Sequence, residues 1–116
     1  MTRLFPILFL SALLARADAL PGNSSRGERL FDTEHCSQCH SVNGKGGRVA
    51  PDLGRLIDRD YTPATLASTM WNHAPTMWSA MRAGKVQAVN VDDQGAADLF
   101  AYFYSMRFFE KPGDAG

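Results

Sequence analysis

The chain contains two cysteines, set three positions apart, with a histidine directly behind the second: Cys36-Ser37-Gln38-Cys39-His40. This is a C-x-x-C-H motif, the attachment signature of a c-type haem. Two thiols one helical turn apart can each add to one of two neighbouring vinyl groups on the macrocycle. The histidine that follows is then carried under the iron, with Nε2 placed to coordinate it. Thioether attachment makes the cofactor permanent, which matters where lost haem cannot be recovered from the medium. Three other chemistries use the same residue types. A disulfide between Cys36 and Cys39 would close a tiny loop, remove little chain entropy and leave His40 without a role. A redox-active dithiol needs a βαβ setting that the sequence does not suggest. A zinc site would draw on Cys36, Cys39 and two of His35, His40 and His73, but adjacent Cys39 and His40 make poor tetrahedral partners.

The N-terminus bears on where such chemistry takes place. Met1-Thr2-Arg3 is a short basic start, Leu4 to Leu14 is apolar apart from Ser11, with Pro6 inside it, and Ala17-Asp18-Ala19 has the small-x-small form of a signal cleavage site. The run is about half of the roughly 20 apolar residues that a membrane-spanning helix needs. Residues 1–19 therefore read as a cleaved export signal, and 20–116 as one domain with a core over about 25–108 and a polar tail at 109–116. Arg16, close to the cleavage point, is unusual for a cleaved leader.

The expected location is periplasmic or otherwise extracytoplasmic, with no membrane span after cleavage. The 116 residues carry 12 basic and 12 acidic side chains, and loss of Arg3, Arg16 and Asp18 leaves a formal charge of −1. No basic block is present to hold nucleic acid or an anionic membrane, and a monomer is expected. So short a domain buries a limited core unaided, and small exported domains commonly add disulfides or a metal. A haem would complete this one.

The elements that must position the motif follow from caps and periodicity. Ser25-Arg-Gly-Glu28 reads as a capping box opening a helix over about 26–34, with Leu30 and Phe31 facing inwards. Gly27 weakens that helix by roughly 1 kcal/mol relative to Ala; it is either a glycine tolerated near a helix end or the place where a second helix crosses and needs the missing side chain. Ser41 to Arg48 reads as loop, with Asn43-Gly44 and Gly46-Gly47. Pro51-Asp52 starts a short helical turn through Leu53 and Leu56. Thr62-Pro63 caps a helix expected to stop before Pro75. Another is expected from Met77 to Ala83, closed by Gly84. In the last helix, Asp92 and Asp93 suit the N-terminal dipole, with Arg107 and Lys111 beyond the C-terminal end. Leu99, Tyr102, Phe103 and Met106 share its apolar face. No alternating run long enough for a strand is present, and the fold class is all-α.

Taken together, Gly27, Phe31, Cys36, Cys39, His40, Pro51, a downstream methionine and the terminal helix Asp98-Leu-Phe-Ala-Tyr-Phe-Tyr-Ser105 resemble the class I cytochromes c, over essentially the whole mature chain. The resemblance implies a small helical domain around one haem, with the first and last helices crossing and Gly27 meeting Tyr102 or Phe103. It also implies that the Pro51 carbonyl accepts a hydrogen bond from the Nδ1 of His40, fixing the ring. Four side chains compete for the sixth iron position: Met70, Met77, Met81 and His73. Met70 lies inside the helix from Pro63. Met77 follows the proline expected to end that helix, where a side chain can be aimed, and the Trp71-Asn-His-Ala-Pro-Thr-Met77 string is similar to a bacterial monohaem subgroup that ligates through this methionine. Met77 is the expected ligand, with Met81 second and His73 third. Alternatively His73 bonds a haem propionate or caps a helix. Trp71 and Trp78 are expected to wall the haem, and His35 to be an exposed neighbour.

With His40 and Met77 both bound, no open iron position remains, which implies a single-electron carrier working between a donor and an acceptor redox protein, not an enzyme. A five-coordinate or bis-His sensor or enzyme subunit is the second reading. The third is one module of a longer multihaem chain, suggested by the likeness of Pro112-Gly-Asp-Ala-Gly116 to Pro21-Gly-Asn-Ser-Ser25.

Overall fold

The computed structural model describes residues 21–55 and 61–109. The expected signal 1–19, Leu56, Lys111 and the 112–116 segment lie outside the described residues. Three helices dominate: α1 (Ser24–Thr33), α2 (Pro63–Ala83) and α3 (Asp93–Phe108). Between α1 and α2 come a 3-10 turn at Cys36–Gln38 and a small antiparallel hairpin, β1 (Ser41–Val42) with β2 (Lys45–Gly46), paired Ser41 to Gly46 and Val42 to Lys45.

The core forms where α1 packs on α3. Phe31, Val42, Leu99, Tyr102 and Phe103 are buried together, and Phe31 meets Phe103 edge-on with ring centres 5.8 Å apart. Leu99, Tyr102 and Phe103 are thus the inward face the spacing predicts. Gly27 sits at the contact: a Cβ there would lie 2.8 Å from the Cβ of Tyr102 and would run into the Asp98 carbonyl. The expected meeting of Gly27 with an aromatic is therefore with Tyr102, while Phe103 packs on Phe31.

Helix α1 starts earlier than Ser25. Its N-cap is Asn23, whose side chain accepts from the Arg26 N–H at 2.8 Å. The reason is tertiary: the Asn23 N–H donates to Asp98 Oδ1 at 2.7 Å, and Asn caps as well as Ser does. Asp98, only 4% exposed, also accepts from Arg26 Nε at 2.9 Å, Arg26 Nη2 at 3.0 Å and Gln94 Nε2 at 3.1 Å. Those bonds, led by the one from Arg26, hold its carboxyl down to about 2. A depressed carboxyl stabilises the fold above its unfolded value of about 3.9 and loses that contribution as pH falls through the folded value. Asp98→Asn is expected to lower the melting temperature at pH 7. Its deficit against wild type should shrink between about pH 4 and pH 2, as read from paired thermal melts.

The segment expected to be plain loop contains the hairpin. Asn43 and Gly44 both have positive φ, 50° and 86°, the two left-handed positions that a two-residue type I′ connection requires and that Asn-Gly favours. After Pro51 the described residues show a turn at 53–54 but no helix, and the rest of the expected segment, from Leu56, lies outside them. Asp52 instead staples the hairpin, its carboxylate accepting from Ser41 Oγ at 3.0 Å and from the N–H groups of Asn43, Gly44 and Gly54 at 3.0, 2.8 and 2.8 Å. Burial opposes its charge, but these bonds outweigh it and the carboxyl stays below its usual value. Below the staple, Arg107, in the last turn of α3 and not beyond it, donates to the Leu53 carbonyl from Nε and Nη2. Its guanidinium lies 3.8 Å over the Tyr61 ring.

The two helices expected on either side of Pro75 are one. Thr62 caps α2 as predicted, in a reciprocal box with Thr65, and the helix runs unbroken through Pro75 to Ala83. Pro75 removes one backbone bond, to the Trp71 carbonyl four residues back, on a solvent-exposed side of the helix where water can replace it. Gly84 is the C-cap, with its N–H bonded to the Ala80 carbonyl. The left-handed residue is Lys85 (φ 55°), and the Val86 N–H returns to Met81 O at 2.8 Å in a Schellman ending. No described helix is long and apolar enough to cross a membrane.

Candidate haem site

The attachment motif begins where α1 ends. Glu34 caps α1 and His35 turns the chain left-handed, with φ 64°. The 3-10 turn follows, with the N–H groups of Cys39 and His40 both bonded to the Cys36 carbonyl, at 3.2 and 2.9 Å. This winding puts the two thiols one turn apart and His40 directly beyond them. The segment after β2 then closes over the motif: the Gly47 N–H bonds Ser37 O and His40 O, and the Ala50 N–H bonds Cys39 O. A side chain on Gly47 would collide with the Gln38 carbonyl, so only a glycine lets the loop lie this close.

His40 is 8% exposed, and its Nδ1 lies 2.9 Å from the Pro51 carbonyl oxygen. A carbonyl only accepts, so Nδ1 carries the proton and donates, and the lone pair is left on Nε2. This is the bond expected of Pro51, and it fixes both the tautomer and the orientation of a ligating imidazole. Cys36 and Cys39 are free, without a disulfide. Burial, with the nearby Glu34 and Asp32 carboxylates adding to it, pushes the Cys36 thiol up to about 11. Reactive redox dithiols have depressed values, so the dithiol alternative finds no support. Among the described residues no three His, Cys, Asp or Glu side chains gather into a cation site.

Cys36, Cys39 and His40 open onto a cavity of about 230 Å³ whose far wall is α2, through His73, Met77 and Met81. The edge is held by the Asn90 N–H, which donates to Glu34 Oε2 at 2.8 Å and ties the segment after α2 to the end of α1. His73 stands across from His40, ring centres 6.5 Å apart and planes at 70°. It sits in the middle of α2 and caps no helix. A larger apolar cavity of about 690 Å³ lies between α2 and α3, but no thiol or imidazole reaches it. Met70 lines that one, which separates it from the motif.

Trp71 and Trp78 do not wall the site. They are 83% and 52% exposed, because on a continuous helix positions 71 and 78 fall on the side opposite to the stripe of 73, 77 and 80. His35 is half-buried on the cavity wall, not exposed, and its Nδ1 takes a bond from Gln38 Nε2 at 3.1 Å.

The residues present fit a haem. A pair of thiols one turn apart, an imidazole with its coordinating nitrogen free, and a soft thioether opposite all face one apolar cavity. No side chain of α2 is fully buried in the protein itself, so this helix has apolar surface available to a flat, apolar group in that cavity. Fold and site together define a small helical domain built for covalent haem attachment. The chain belongs to the cytochrome c family: the family model described as Cytochrome c matches residues 24–107. It is 32% identical over 82 residues to cytochrome c of Nigella damascena, covering 70% of this chain and 63% of that one. With cytochrome c of Sesamum indicum it shares 34% identity over 64 residues, 53% of this chain and 57% of that one. With that of Cannabis sativa it shares 42% over 43 residues, 36% and 38% respectively. The chain therefore spans less than two thirds of the length of each of these relatives. No solved structure matches it significantly. The family binds haem c covalently through cysteine, and Cys36 and Cys39 are the cysteines of this chain.

Proposed function

We propose that the protein is an extracytoplasmic single-electron carrier in which His40 and Met77 hold the iron of one haem from opposite faces. The observation that carries this reading is the hydrogen bond from His40 Nδ1 to the Pro51 carbonyl, which leaves Nε2 as a ligand aimed at the cavity that Met77 also lines. The haem supplies a one-electron ferric/ferrous couple. The chain's own residues decide how that couple is used. Cys36 and Cys39 hold the group in place, the Pro51 carbonyl keeps the His40 ring oriented, and Met77 occupies the position where a substrate would otherwise bind. With His40 and Met77 both holding the iron, the site would favour electron exchange with a donor and an acceptor protein over bond chemistry, and a monomer would suffice for it. Location outside the cytoplasm rests on the sequence of residues 1–19.

The continuous α2 changes how Met77 is delivered. It is not aimed by a helix break at Pro75; it is one of a stripe of side chains on one helix face. The thioether is a soft, neutral ligand, and Met/His ligation raises the potential. Met77→Ala is therefore expected to abolish the weak absorption at the red end of the oxidised spectrum that reports an iron–sulfur bond, and to lower the midpoint potential in a spectroelectrochemical titration. Should Met77→Ala keep that band and Met81→Ala remove it, the ligand sits one turn further along α2.

A further inference from the structure

The α2 wall carries two ligand-capable side chains one turn apart, and the reading of His40 and Met77 uses one of them. His73 and Met77 are four residues apart on the same face of a continuous helix, and both line the cavity that His40 enters. Among the described residues His73 has no hydrogen-bond partner, and its ring neighbour is His40, 6.5 Å away centre to centre with the planes at 70°. Two imidazoles that share one metal ion between them need a similar separation. Two metal–nitrogen bonds of about 2 Å each, plus the distance from nitrogen to ring centre on either side, come to roughly 6 Å. The structure thus holds a second imidazole at coordinating separation from the first.

We propose that His73 is a reserve axial ligand, taking the sixth iron position whenever Met77 is off it. This rests on the assignment of His40 and Met77 made above. No side chain of α2 is buried in the protein itself, so the protein's own packing sets little against a movement of this helix. Full translation by one turn would be about 6 Å, four residues at a rise of about 1.5 Å each, and swings of the two side chains shorten the shift the backbone must make. The reserve has a functional consequence. It keeps the iron six-coordinate and closed to small ligands when the thioether leaves, and an imidazole in its place lowers the potential relative to methionine. The carrier then becomes a poorer electron acceptor without exposing its iron.

The test uses the mature protein with haem attached, comparing wild type, Met77→Leu, His73→Asn and the double variant. Leucine conserves volume but cannot ligate. Met77→Leu is expected to lack the sulfur band yet stay low-spin in the ferric state, and to need at least tenfold more azide for half-saturation than the double variant, which should be high-spin. A high-spin Met77→Leu with the azide affinity of the double variant overturns the proposal. So does a sulfur band that persists in Met77→Leu, since Met81 would then be the reserve. If the double variant does not fold, the near-infrared charge-transfer bands of Met77→Leu alone decide: a bis-imidazole signature supports His73, and a water or methionine signature refutes it. Failure of the underlying assignment would show separately, as a wild type without the sulfur band and a high-spin His73→Asn. That result makes His73 the resident ligand and ends its role as a reserve.

Discussion

Replacing His40 by Ala is expected to leave the chain essentially without stable haem, a larger loss than either Cys36→Ala or Cys39→Ala produces. The difference follows from what each residue holds. A single-cysteine variant keeps one thioether and the iron–imidazole bond, and the turn that brings Cys39 and His40 back to the Cys36 carbonyl does not depend on either thiol. Removal of His40 takes away an iron ligand together with the Nδ1 donor to Pro51. The measurement is haem that survives denaturation and acid extraction from protein made with haem-attachment machinery. Wild type should retain nearly all of it, each single-cysteine variant a reduced fraction, and the double-cysteine variant none. Wild-type haem that extracts freely, or a wild-type chain that folds fully without haem, would sink the assignment.

What could be read from the sequence was chemistry carried by neighbours along the chain. The thiol spacing, the cap at Thr62 and the apolar face of the terminal helix each depend on a few consecutive residues, and each stands where the sequence puts it. The pairing of His40 with Pro51, eleven residues on, came through resemblance to the cytochromes c, because no local rule links an imidazole to a distant carbonyl. Elements set by competition between local and tertiary terms were harder to read. Proline in a helix interior costs about 3 kcal/mol, and at Pro75 that penalty appears to local reasoning as a helix end. In the folded chain it is offset by a helix of 21 residues, capped at Thr62 and closed by the Schellman turn at Lys85. One consequence is that Trp71 and Trp78 point away from the cavity.

The start of α1 shows the same competition on a smaller scale. Ser25 and Glu28 make an acceptable capping box, yet Asn23 wins because its N–H also reaches Asp98 on α3. The hairpin at Asn43-Gly44 was legible in principle, since Asn-Gly is a strong short-range turn signal. Its strands are only two residues each, too short to show alternation. What holds them is the Asp52 carboxylate, contributed from outside the hairpin.

Gly27→Ala is expected to destabilise the protein although helix propensity argues the opposite. Within a helix, Ala is favoured over Gly by about 1 kcal/mol, so an α1 with nothing against it would gain. Here the added Cβ would fall 2.6 Å from the carbonyl carbon of Asp98 and 2.8 Å from the Cβ of Tyr102. The obstacle is mainly the backbone of α3, which cannot swing aside as a side chain can. Helices α1 and α3 would have to separate, loosening Phe31 from Phe103 and lengthening the Arg26–Asp98 bonds. Overpacking of this kind costs about 1–3 kcal/mol, which for a domain of this size lowers the melting temperature by roughly 5–20 °C; Gly27→Val should be worse. Gly84→Ala is the control. Its Cβ would meet nothing nearer than the Ala80 carbonyl oxygen at 3.4 Å, and φ there is −85°, so its melting temperature should stay within a few degrees of wild type. A Gly27→Ala protein that melts at or above the wild-type temperature would mean that α1 and α3 do not approach this closely, and the Gly27–Tyr102 contact would have to be abandoned.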